Sequence, residues 1–156
     1  MKANLFYMNS NTQTKKLIVT SLDILRTPST NIEEFDEVLD KMLRRELALH
    51  ETGVGLASIQ IGVAKRMVLV RMNSGEIKTF WNFYIKKASH PRTSVEGCLS
   101  IPNKLSTVLR WQNIVVENGD GQEINLTGME AIIAQHEADH CDGILCTDSL
   151  GNSEGI

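Results

Sequence analysis

Prolines and aromatic side chains are scarce in this chain: 3 prolines and 5% Phe, Trp and Tyr in 156 residues. With no repeat and no Gly- or Ser-rich tract, collagen-like, low-complexity and linker-joined organisations are excluded. Long apolar runs are lacking as well. The most apolar window, Val54 to Ala64, is broken by Ser58 and Gln60 and falls short of the roughly 18–20 residues of a membrane helix. Neither sign of charge dominates. Sixteen Lys and Arg against 19 Asp and Glu leave a net −3, and no basic run or Arg/aromatic interleaving marks a nucleic-acid surface. Cysteines number 3, an odd count that argues against a disulfide framework and for reduced thiols in the cytoplasm. The N-terminus has no apolar signal-peptide segment. Residues 1–22 carry no acid but also no Arg, so a cytoplasmic location is preferred to an organelle. We expect residues 1–16 to be a flexible leader and 17–156 a single domain.

What is present is enough for a core, with 42% hydrophobic residues. Thr30-Asn31-Ile32-Glu33 reads as a capping box opening a helix. Phe35, Val38, Leu39, Met42, Leu43 and Leu47 follow at helical spacing, and the helix is expected to stop near His50. Residues 66–71 and 77–85 read as strands around an Asn73-Ser74-Gly75 turn. Residues 113–117 and 122–126 read as a hairpin around Asn118-Gly119-Asp120-Gly121. A second capping box, Thr127 to Glu130, opens a helix expected to end before Gly143. Its apolar series Met129, Ile132, Ile133 continues onto His136 and His140, which therefore point into the core. Ala131, Ala134 and Ala138 let strands approach closely.

His136-Glu137-Ala138-Asp139-His140 is a His-Glu-x-x-His sequence on that helix. The i, i+4 spacing stacks two imidazoles a turn apart, so both can bind one metal ion, while Glu137 can reach a water on such an ion without being a ligand. Two helix histidines satisfied by ordinary hydrogen bonds are the bland alternative. Two ligands do not close a site, and no His follows His140. Upstream, Cys98 in Glu96-Gly97-Cys98-Leu99-Ser100 is the candidate third ligand, where Gly97 permits close backbone approach. On spacing alone Cys98 is equally a buried structural thiol. A third element, Gly53 to Gln60, is glycine-rich but lacks the spacing and Lys of a phosphate loop.

In this order, Gly53-Val54-Gly55-Leu56-Ala57-Ser58-Ile59-Gln60, Glu96 to Ser100 and Gln135 to His140 strongly resemble the three signature motifs of peptide deformylases. The resemblance runs from about Ile18 to Leu150. It implies an α+β fold, with antiparallel sheets packed around a central helix carrying the His-Glu-x-x-His motif and an N-terminal helix. It also implies removal of the N-formyl group from formylmethionine on nascent peptides, with metal-bound water attacking the formyl carbon. Cys98, His136 and His140 become the ligands of one divalent ion, Fe(II) in the cell, with Zn, Ni or Co as alternatives. Glu137 becomes the general acid/base, and Gln60 with the Leu99 N–H the oxyanion donors. Val54, Gly55 and Gly97 match positions that bind the substrate backbone as an added strand. Met129, Ile132 and Ile133 line the methionine pocket, although plain core packing also accounts for them. Glu96 and Arg110 form an ion pair behind the cysteine loop, and Asp139 either supports the ligand helix or is an exposed acid.

Several positions depart from the family pattern. Ser58 stands for the usual second Ala, Phe83 follows Asn82 where Pro is usual, and Asn103 replaces Gly or an acid. Cys141 replaces Leu and, turned about 100° from His140, reads as a packing residue. The chain stops soon after Asp148, where bacterial relatives continue into a tail that in some contributes to ribosome binding. This shortened ending resembles phage-carried forms and leaves only transient ribosome contact in view. A monomer that binds neither nucleic acid nor membrane is expected. Two rival readings are a small zinc endopeptidase and a non-catalytic deformylase-like binding module.

Overall fold

The computed structural model describes residues 16–148. The expected leader, apart from Lys16, and the shortened C-terminal ending lie outside the described residues. Among the described residues, three α-helices, α1 (Leu22–Leu25), α2 (Glu37–Ala48) and α3 (Met129–Cys141), accompany six strands, β1 (Gly55–Ala57), β2 (Met67–Arg71), β3 (Ile77–Trp81), β4 (Tyr84–Cys98), β5 (Ile101–Glu117) and β6 (Glu123–Thr127). The strands form two antiparallel sheets, ordered β1-β2-β3 and β4-β5-β6. Helix α3 packs against β1 and β2 of one sheet and β5 and β6 of the other. The fold is therefore α+β, with the His-Glu-x-x-His helix between the sheets.

That position explains the composition of α3. Ala131, Ala134 and Ala138 are buried and let both sheets approach, and they join Val68, Val70, Phe80, Ile114, Val116 and Leu126 in one core cluster. Only part of the expected capping box forms. Gly128, not Thr127, is the N-cap, and it makes no side-chain cap. Glu130 accepts from the Thr127 N–H at 3.3 Å and from the Asn73 N–H at 2.9 Å, so the β2–β3 turn supplies the remaining partner. The helix stops before Gly143, as expected. Gly143 has φ +73°, and a Cβ there would lie 2.4 Å from the Arg26 carbonyl oxygen.

Helix α2 begins later than its sequence indicates. Asp36 caps it, accepting from the Leu39 N–H at 2.9 Å. The backbone at Thr30 is already committed: its N–H donates to the Ala64 carbonyl at 3.1 Å, and its own carbonyl accepts from the Arg66 N–H at 2.8 Å. The Asn82 side chain holds both the N–H and the carbonyl of Ile32, at 2.8 and 2.7 Å. These distant partners override the local box. The buried face of α2 is also narrower than the six expected positions, since Leu39, Leu43 and Leu47 are buried while Phe35, Val38 and Met42 remain exposed.

The strand expected over 77–85 is two strands in different sheets. Asn82, at φ +46° and clamped to Ile32, breaks it between β3 and β4. The hairpin around residues 118–121 is present, but β5 begins twelve residues earlier than expected, at Ile101 rather than 113, and β4 beyond Ile85 had no counterpart in the sequence reading. No helix among the described residues is long and apolar enough to cross a membrane.

Candidate metal centre

Strand β4 ends at Cys98 after a register irregularity between Glu96 and Cys98, the step occupied by Gly97. This turns the Cys98 thiol toward α3. Its Sγ lies 3.4 Å from His140 Nε2, and one donor atom from each of Cys98, His136 and His140 lies within 4.8 Å of the others. The two imidazole rings are 4.9 Å apart, as one helical turn dictates. A thiolate and two imidazoles at this separation suit a first-row divalent ion and leave room for a further ligand. Cys141 is buried in the core cluster and stands outside this group. Burial pushes its thiol up to about 12, which keeps it protonated.

His136 is oriented from behind. Its Nδ1 lies 2.9 Å from Glu96 Oε1, leaving Nε2 to face the thiol. Arg110 holds both oxygens of the same Glu96, through Nε at 2.9 Å and Nη2 at 2.8 Å, and reaches Asp139 through Nη1 at 2.6 Å. The expected Glu96–Arg110 pair is thus buried and bidentate, and Asp139 is engaged with it rather than free in solvent. Burial works against ionised Glu96, but hydrogen bonds from Arg110 and His136 outweigh it and bring its pKa down to about 2. Burial likewise opposes a charged His136, yet its contacts with Cys98 and Glu96 raise its pKa. His140 is pushed down to about 3, first by burial and then by the charges of His136 and Arg110. It is neutral, the state a metal ligand needs.

Glu137 is buried on the adjoining face of α3, and its Oε2 has no hydrogen-bond partner. Burial raises its pKa to about 7 against the pull of His136 and Arg110. Such an oxygen costs free energy unless water, an ion or a substrate meets it. Gln60 sits in the 3-10 turn Ser58–Ile61 after β1. Its Oε1 accepts from the Ala57 N–H at 2.9 Å, which fixes the amide so that Nε2 faces Ser100 Oγ at 3.2 Å and Cys98 Sγ at 3.7 Å. The departure at Ser58 is accommodated, its hydroxyl donating to the Val63 carbonyl at 2.7 Å.

All twelve candidate residues except His140 line one cleft of about 760 Å³, and His140 lies behind it, almost fully buried. Gly55 is required sterically. A Cβ there would lie 2.7 Å from both Glu137 Oε1 and Ile133 Cγ2. Gly97 is different, since a Cβ would meet only ordinary contacts, the nearest being Leu105 Cδ2 at 3.6 Å. The close approach expected at Gly97 is therefore not demanded by the protein itself. Ile132 and Ile133 are both buried and at the cleft, whereas Met129 is exposed at its rim, so core packing does not account for it. Thr52, Ser94, Val95, Lys104 and Leu105 also line the cleft and were missed by the sequence reading.

The polypeptide deformylase family model matches residues 14–155. A peptide deformylase of Agrobacterium fabrum is 40% identical over 149 residues, covering 87% of this chain and 86% of its own length. One from Finegoldia magna is 34% identical over 137 residues, covering 83% and 85%. The crystal structure of a probable peptide deformylase from Synechococcus phage S-SSM7 superposes with a TM-score of 0.74 at 32% identity, over 86% of this chain and 99% of that one. With a matching family model, relatives of this identity and a shared architecture around the Cys98, His136 and His140 group, the chain belongs to the peptide deformylase family of hydrolases.

Proposed function

We propose that this chain removes the N-formyl group from N-terminal formylmethionine on nascent polypeptides, releasing formate and a free amine. The observation that carries the reading is Glu137, a buried carboxylate with an unpartnered oxygen at the cleft, beside Cys98, His136 and His140, three side chains grouped closely enough to hold one metal ion. Cys98, His136 and His140 would hold one divalent cation, Fe(II) in the cell, with Zn, Ni or Co as alternatives. When bound, the cation supplies a Lewis acid that acidifies water and draws charge from the formyl oxygen.

The chain's own groups supply the rest. Glu137, with a pKa near neutrality, takes a proton from the attacking water and returns it to the departing amine nitrogen. Gln60 Nε2, held by the anchoring of Oε1, donates to the formyl oxygen as negative charge gathers there, and the Leu99 N–H is the second donor. A neutral amide does this without adding a charge beside the cation. Val54, Gly55 and Gly97 receive the peptide backbone as an added strand. Ile132 and Ile133, with Met129 at the rim, receive the methionine side chain. Glu96, tied to Arg110, positions His136. Residues 17–156 act here as one catalytic domain.

The test is formate release from formyl-Met-Ala by anaerobically purified chain of known metal content, beside N-acetylated peptides with only internal amide bonds. Formate should appear in proportion to bound metal while the internal bonds persist. Cleavage of internal bonds without formate release would sink the reading and favour an endopeptidase.

A further inference from the structure

The hairpin of β4 and β5 turns one face to the core and the other to solvent, and strand alternation separates the two. Ser94 and Glu96 on β4, and Ser106, Val108 and Arg110 on β5, are buried on the inner face. Pro91, Thr93 and Val95, with Thr107, Leu109 and Trp111, therefore make the outer face, and all six are exposed. None is charged. Val95 and Leu109 are 67% and 71% exposed, and Trp111 is 42% exposed. Beyond Trp111 the sheet turns polar, with Lys87, Ser89, Asn113 and Asn125 lining a separate groove. An exposed apolar patch with a polar rim is the mark of a protein contact. The ladder also gives this patch a relief. Pro91 pairs with Trp111, Thr93 with Leu109 and Val95 with Thr107. Each pair sets one large side chain beside one small one, and the large member changes strand between Leu109 and Val95.

We infer that this face binds a second copy of the chain, giving a twofold-symmetric dimer rather than the monomer expected from the sequence. The relief identifies the occupant. A closed dimer needs a self-complementary surface, because the same patch meets itself. A twofold axis parallel to the strands, lying between two such hairpins, lays β4 of one copy over β5 of the other. Trp111 then stands over the second copy's Pro91, Leu109 over its Thr93 and Val95 over its Thr107. Every large side chain meets a small one, at the roughly 10 Å separation of stacked sheets. The six side chains and Leu105 beside them offer roughly 500–600 Å² per copy, so the pair buries about 1,000–1,200 Å², where specific interfaces begin. Association is therefore reversible, with a dissociation constant of about 1–100 µM. An uncharged face gives no hold to nucleic acid or to a charged peptide. No substrate takes part, so the inference stands apart from the deformylase reading.

The experiment is sedimentation velocity of the full chain over about 1–500 µM, a range that brackets a weak interface. The unaltered chain should pass from monomer to dimer and stop there. Leu109→Lys and Thr93→Glu each put two charges into the contact and should weaken association at least about tenfold. Both are surface changes, so each variant should keep the parent's thermal melt in dilute solution. Mixed one to one, the two variants should associate again, because the introduced lysine then faces the introduced glutamate. Val38→Lys, at an equally exposed apolar position on α2, should leave association unchanged. A chain that stays monomeric throughout overturns the dimer, and methyl NMR contacts from Leu109 to a terminal segment of that monomer would give the face to that segment instead. Association that survives Leu109→Lys, that Val38→Lys weakens as much, or that mixing fails to restore overturns it as well.

Discussion

Exchanging Glu137 for glutamine removes a charge that the fold has to bury, so the variant should gain stability while losing function. In the metal-free protein the Glu137 carboxyl titrates near 7, against 4.5 for the ordinary group, first because of burial. A folded-state pKa raised above the unfolded value means that folded chains hold a proton which unfolded chains have released. The contribution to stability is therefore full below pH 4.5 and is lost as pH rises toward 7. At about 1.4 kcal/mol per pH unit, the loss reaches about 3 kcal/mol by pH 8 and is close to zero at pH 4. Glutamine has nearly the same shape and no proton to lose, so Glu137→Gln should escape that loss. Urea unfolding in a chelator, at pH 4, 6 and 8, reads the difference between variant and parent directly. It should grow from near zero to a gain of about 2–3 kcal/mol, while deformylation by the metal-loaded variant falls by about 10²–10⁴-fold with its metal retained. A difference that stays flat with pH would refute the argument that burial sets the state of Glu137.

Cys98→Ala and His136→Ala should each lose the metal, measured as ions per chain, while Cys141→Ala keeps it; equal metal in Cys98→Ala and the parent would remove Cys98 from the ligand set. Gln60→Ala should keep its metal and lose about 10²–10³-fold in kcat, the scale of one oxyanion donor, and unchanged turnover would remove it from that role. Glu96, whose folded pKa of about 2 lies below the usual 4.5, contributes stability that is present above pH 4.5 and is lost as pH falls toward 2. Glu96→Gln should therefore unfold more easily than the parent at pH 7 and approach it below pH 3, as thermal melts across that range can establish.

The parts of the fold legible in the sequence are those governed by short-range spacing. His136 and His140 sit four apart on a helix whose end is marked by Gly143, and no distant partner alters that geometry. The 118–121 hairpin is equally local. Thr30 to Glu33 has the right residues for a helix start, but partners from residues 64, 66 and 82 take its backbone first. Beyond Ile85, strand β4 escaped notice because its first ten residues are all exposed, so no apolar alternation marks them. For the same reason the cleft wall formed by Val95 and Leu105 had no sequence signal, whereas the Cys98 loop carries one in its motif. Arg110 was paired with Glu96 by resemblance, yet its simultaneous hold on Asp139 depends on how α3 lies against β5.

Gly55 also constrains how this sequence can drift. A side chain at that position would collide with two atoms at once, Ile133 Cγ2 and Glu137 Oε1. Trimming Ile133 clears only the first collision, and trimming Glu137 clears the second by discarding the group assigned to proton transfer. Position 55 is therefore tied to position 137 without either residue bonding to the other. A variant that acquires alanine there has no single compensating change that restores both space and chemistry. Recovery in a selection experiment should consist mainly of reversions to glycine, accompanied at most by shifts in the β1 backbone, and seldom of second-site substitutions in α3.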